Sequence, residues 1–159
     1  MTIRLLSSNY AFICAAFLFA ATSSAQAAEW NKTQTSVWQV VSDSWIDDVA
    51  GNGKWPSQYA HKEAVSWNES WPQPRGKASI EKWSRFAEKN GRTLDYELFP
   101  EAIVVVGDTA VVHYSVVAVR ENFEKKRKRE QGGNIETLVR SGKSWKILSL
   151  TGFELGGGN

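Results

Sequence analysis

Residues 101–120, EAIVVVGDTAVVHYSVVAVR, decide the fold. They read as two strands joined at Gly107 and Asp108, because β-branched residues fill both arms and Gly-Asp suits a two-residue hairpin loop. With that loop, Val106 lies opposite Thr109, Val104 opposite Val111 and Ala102 opposite His113. Side chains alternate across a strand. One face therefore carries these residues with Ser115, Val117 and Val119, and the other carries Ile103, Val105, Ala110, Val112, Tyr114, Val116 and Ala118. Both faces are apolar, whereas a sheet with one wet face shows polar residues on that side. The spacing predicts a sheet covered twice: by helices on one side, and by a partner subunit or more of the same chain on the other.

Upstream, residues 29–50 read as a helix. Val37, Trp38, Val41, Trp45, Ile46 and Val49 recur at three and four, Asn31 or Thr33 can cap it, and Gly51 to Gly53 end it. Asp47 and Asp48 near its C-terminus read as solvated acids or as carboxylates at a pocket rim. A second, short helix is predicted over residues 57–66, carrying His61, and a loop over 68–76 is marked by Pro72, Pro74 and Gly76. A third helix spans residues 77–89, stopped by Asn90 and Gly91. From Arg92 the period becomes two, and Pro100 breaks that strand before the hairpin. Residues 121–134, ENFEKKRKREQGGN, read as a charged loop whose basic run at 125–129 is a solvated tip or an attractor of anionic surfaces. A last hairpin turns at Gly142 and Lys143, placing Arg140 opposite Trp145, Leu138 opposite Ile147 and Glu136 opposite Ser149. Three helices followed by about five mostly antiparallel strands predict an α+β fold, with the helices on one face of a curved sheet.

The 159 residues suit one domain. Arg4 is the only charge before Glu29, an apolar run covers residues 11–21, and Ala25-Gln26-Ala27 supplies an A-x-A site. This predicts a signal peptide over residues 1–27, export to the periplasm or beyond, and no stable membrane anchor. Its removal leaves 132 residues, enough for a core without staples, and takes away the single cysteine, Cys14. The remaining charge is nearly balanced, which gives no footing for nucleic acid. Eight tryptophans remain, which favours a lined cavity.

The segments YELFPEAIVVVGDTAVVHY and TLVRSGKSWKILSLTGF, behind three helices, resemble the nuclear transport factor 2-like superfamily in its SnoaL-like branch. The resemblance spans residues 28–159. It implies a cone-shaped fold, with a strongly curved sheet wrapped around the helices and a deep apolar pocket between them. It also implies a homodimer formed through the outer sheet face. The superfamily includes isomerases, cyclases and dehydratases as well as binding modules, so the fold alone does not assign a reaction.

Within that frame the candidates are few. His113 is a general base if its face looks into the cone, and part of a dimer contact if it looks outward. His61, on the second helix, stands near the mouth of the cone. Trp45, Trp67 and Trp83, one from each helix, are ligand-binding candidates. Tyr114, a hydroxyl donor able to polarise a carbonyl, is another, although packing in the sheet accounts for it more plainly. Asp95 and Glu97 are read as outward. No metal spacing and no cofactor motif occurs in the sequence. The leading function is an exported pocket protein for a small, largely apolar molecule. The alternatives are a cofactor-independent isomerase, cyclase or dehydratase using a His or carboxylate base, and a homodimeric interaction module without a ligand.

Overall fold

The computed structural model describes residues 29–155. In chain order these form α1 (Lys32–Val49), β1 (Ala60–Asn68), β2 (Arg75–Gly76), α2 (Lys77–Asn90), β3 (Gly91–Val106), β4 (Thr109–Asn122), β5 (Arg127–Ser141) and β6 (Ser144–Glu154). Residues 1–27, read above as a signal peptide, lie outside the described residues together with Cys14, as does the glycine-rich tail from residue 156. One curved sheet runs β2-β1-β6-β5-β4-β3, antiparallel except where β1 lies along β6.

Helix α1 begins at a capping box. Asn31 Oδ1 accepts from the Thr33 and Gln34 amides, and Gln34 Oε1 accepts from the Asn31 amide. Gln34 also donates to the Ile103 carbonyl at 2.8 Å, which ties the helix start to β3. Val37 and Val41 then press on Ile103, Ala110, Val112, Leu138 and Ile147 from four strands. Each such buried Val, Leu or Ile side chain contributes roughly 1.5–3 kcal/mol. The α+β architecture and the hairpin register stand as predicted: Val106 pairs with Thr109, Val104 with Val111 and Ala102 with His113.

The element count differs from the expected three helices and five strands. Residues read as the second helix are strand β1. Ala60 and Ala64 sit four apart, a helical spacing, but Ala60, Ala64 and Ser66 are the buried positions of a strand whose register shifts between Ala60 and Val65. The irregularity masks the two-residue period. These small side chains also leave room for α2, whose Lys77 donates to the Ala60 carbonyl at 2.9 Å. The expected loop at 68–76 contains β2, paired to β1 through Val65 and Gly76.

Pro100 does not end a strand. β3 runs unbroken from Gly91 to Val106, with a register shift between Pro100 and Ala102. It is an edge strand, so the missing N–H of proline costs no ladder bond on its open side. The charged loop is also shorter than read, because β4 and β5 extend into it and leave a tip at residues 123–126. Opposite charges pair across this ladder, Glu121 directly opposite Arg127 and Arg120 diagonally with Glu130.

Gly91 ends α2 for a reason other than a left-handed cap. Its φ of 178° is extended backbone, and a Cβ there would lie 2.8 Å from the Glu121 carbonyl oxygen. The glycine lets the start of β3 approach β4. Gly91→Ala is therefore expected to destabilise the fold by about 1–3 kcal/mol, the usual cost of overpacking. Urea unfolding of the two proteins checks this, and an unchanged midpoint would contradict it.

Candidate functional site

A cleft of about 290 Å³ opens between the C-terminal half of α1 and the inner face of β4, β5 and β6. It exists because small residues line it. Ser44 stands on α1, Ala118 on β4, and Gly132 and Gly133 occupy the middle of β5. Trp45, Trp55, Tyr114, Val116 and Leu150 supply apolar wall. The Phe153 ring lies over Gly133, where an added Cβ would come within 2.4 Å of it.

The chemistry centres on Glu136. Alternation along β5 turns it inward with Leu138, and its side chain is 2% exposed. Its register partners are Val112 on β4 and Leu150 on β6. The uninterrupted register read from the last hairpin placed Ser149 opposite Glu136. A shift between Thr137 and Leu138 puts Ser149 opposite Thr137 instead and gives Glu136 an apolar neighbour. Ser149 thereby loses the place that would have let it hydrogen-bond the carboxyl.

One hydrogen-bonded chain reaches the carboxyl. The Trp45 indole N–H donates to the Tyr114 hydroxyl at 2.9 Å, and that hydroxyl donates to Glu136 Oε1 at 2.6 Å. Trp38 packs edge-on against the Tyr114 ring and Tyr96 stacks on Trp45, which fixes both partners. Oε2 of Glu136 is buried and has no hydrogen-bond partner among the described residues. Burial pushes the Glu136 carboxyl up to about 7, against the opposing effect of the Tyr114 hydrogen bond. Burial, then the neighbouring Glu136, pushes the Tyr114 hydroxyl well above its ordinary value. Tyr114 thus stays protonated with its one proton committed to Glu136, and it acts as a positioning residue rather than a free donor.

Asp48, one helical turn beyond Trp45, lines the same cleft. Burial pushes it up to about 6; Arg120 opposes the shift and Glu88 adds to it. Asp47 points elsewhere. It accepts hydrogen bonds from Tyr59, Asn52 and Lys54, which hold its carboxyl below the usual range. It clamps the segment after α1. Neither acid is a freely solvated surface group.

Of the residues singled out from sequence, Trp45 and Tyr114 meet in the cleft. Trp67 and Trp83 are 48% and 44% exposed and are not among its lining residues. Trp67 donates to the Trp71 carbonyl, and the Arg75 guanidinium lies between the Trp71 and Trp83 rings at 4.0 and 4.6 Å. This stack fastens α2 to the β1–β2 segment. His61 lies on β1, where its Nδ1 accepts from the Glu63 amide. His113 lies on the outer sheet face between Ala102 and Ile135, with Nδ1 buried and without a partner among the described residues. Asp95 and Glu97 share that outer parity, opposite Val119 and Val117. Among the described residues no cluster of metal-ligating side chains occurs, and no helix is long and apolar enough to cross a membrane.

Glu136 is the residue that sequence reading missed. The signal was present: stepping back by twos along the strand from Arg140, the residue opposite Trp145, through Leu138 leads to Glu136.

The carboxyl sets a pH dependence. Its folded value near 7 lies above the ordinary 4.5, so between these values the unfolded chain releases a proton that the folded chain keeps. Stability therefore falls as pH rises through that window and levels off above it, by about 3 kcal/mol from this group. Glu136→Gln is expected to remove this component. Urea unfolding at several pH values checks it: the gap between wild type and variant should change from pH 4.5 to 7 in the variant's favour. A gap independent of pH would contradict the reading.

No protein-family model matches the chain, and no curated protein matches it. Solved structures do match. A ketosteroid isomerase-like protein from Erwinia carotovora atroseptica superposes with a TM-score of 0.71 at 11% identity, covering 80% of this chain and 99% of that one. A nuclear transport factor 2 (NTF2-like) superfamily protein from Salmonella enterica gives 0.66 at 12% identity, covering 79% and 93%. An NTF2-like protein from Rhodospirillum rubrum gives 0.65 at 11% identity, covering 75% and 98%. At these identities the likeness is one of architecture: the chain has the nuclear transport factor 2-like fold.

Proposed function

We propose that the protein binds a small, largely apolar molecule in the cleft above Glu136, with one polar atom of that molecule on Glu136 Oε2. One observation carries this reading: a buried carboxyl oxygen without a partner among the described residues, in a cleft walled by aromatic and aliphatic side chains. Leaving a buried polar group unsatisfied costs about 1–3 kcal/mol, which a ligand hydrogen bond offsets. Below pH 7 the neutral acid donates to a carbonyl, ether or hydroxyl oxygen. Above it the carboxylate accepts from a hydroxyl or amine. Tryptophan fluorescence titrated with apolar ketones, alcohols and aromatic acids tests this, since Trp45 and Trp55 line the cleft. A saturable change is expected with one class, weakened about 10-fold in Glu136→Leu, the worth of one buried hydrogen bond. Binding indifferent to that substitution would overturn the reading.

Turnover is the second reading, and the Glu136 value near 7 favours it, because a general base works best near the operating pH. The base in this reading is the carboxylate, with Asp48 as a second acid in the cleft. The histidines are the less favoured bases, since neither lines the cleft.

Two further elements belong to the proposal. The chain is a SnoaL-like protein of the periplasm or beyond, as the basic start, the apolar run at 11–21 and the A-x-A site support. It pairs with a second copy through the outer sheet face, where Val104 and Val106 are 54% and 74% exposed. Light scattering is expected to give a dimer that Val104→Lys dissociates. A monomeric wild type would leave the interaction-module reading without its interface.

A further inference from the structure

A second cleft, of about 800 Å³, adjoins the first, and both are lined by Asp48, Arg120 and Glu130. It lies between the C-terminal ends of α1 and α2 and the β4–β5 tip. The basic run at 125–129 contributes Lys126, Arg127 and Lys128 to its wall. The run forms this wall while its side chains stay largely exposed. Glu121, 4% exposed, draws Arg92, Arg127 and Lys125 to within 3.0, 3.2 and 3.6 Å. Glu130 engages Arg120 at 3.2 Å and Lys128 at 3.6 Å. Two carboxylates are thus shared among five cations. Lys126 pairs with Glu124, which is not among the lining residues, and Lys128 also reaches Glu154 at 4.0 Å. Asp48 and Glu88 face this end from the two helices. The excess positive charge sits on the strand side, beside the mouth of an apolar cleft.

We propose that the bound molecule is an amphiphile with an anionic head: its apolar part fills the cleft above Glu136, and its carboxylate, phosphate or sulfate lies against Arg120, Lys126 and Lys128. The proposal rests on the pocket reading above and narrows it to one ligand class. Arg120, Lys126 and Lys128 are half-exposed or more, so their attraction for an anion is weakened by salt.

The test compares decanoate, decyl phosphate and decanol on the full mature chain, by calorimetry and tryptophan fluorescence. The variant is Lys126→Gln with Lys128→Gln; both side chains are largely exposed, so the fold is spared. The expected result is about 10-fold or greater preference for an anion over the alcohol. It should shrink to near parity in the double variant and in high salt, with decanol affinity unchanged. Which anion binds more tightly separates a carboxylate head from a phosphate one. Equal binding of alcohol and anions by the wild type would overturn this proposal and leave the pocket reading standing. Failure of all three to bind would overturn both.

Discussion

The structure depends on how the Glu136 carboxyl is held. A carboxylate removed from water is costly unless it is paired and hydrogen-bonded. Glu136 receives one neutral hydrogen bond, from Tyr114, which is itself held by Trp45. The group meets its burial by taking up a proton instead. Much of the surrounding packing serves this arrangement. Trp38 and Tyr96 lock the two aromatic partners, and Val41 brings α1 down at the point where Trp45 must reach across.

The backbone irregularities explain why the carboxyl stands alone. A register shift in the β5–β6 ladder exchanges Ser149 for Leu150 beside Glu136. Another, at Pro100 in edge strand β3, lets that strand continue along β4. Small residues at Ser44, Ala118 and Gly132 then leave a space where a fully packed core would place side chains. A nuclear transport factor 2-like sheet thus keeps a solid half around Val37, Val112 and Leu138, and an open half around Glu136. The packed core and the cleft occupy different ends of the same helix.

Much of this was legible in the sequence, and the rest was hidden for physical reasons. The 101–120 hairpin was readable residue by residue, because a two-residue loop fixes register and both strands are regular beside it. Helices α1 and α2 were readable from period and caps, and Asn31 is the cap. β1 was not, because a register shift and two alanines four apart imitate a helix. Trp45 and Tyr114 were named, but their link to Glu136 joins residues far apart in the chain, and no local pattern encodes it. The full length of β4 and β5 was obscured by the charged segment between them, whose strand ends are held by cross-strand ion pairs that hydrophobic periodicity does not report.

The most direct measurement is the infrared difference spectrum of wild type against Glu136→Gln across pH, which isolates the carbonyl stretch of this one protonated carboxyl. The account predicts that the band persists to near neutral pH, disappears with a midpoint of about 7, and shifts in frequency when a ligand occupies the cleft. A midpoint near the ordinary 4.5, or a band unmoved by a ligand that saturates the tryptophan signal, would contradict it.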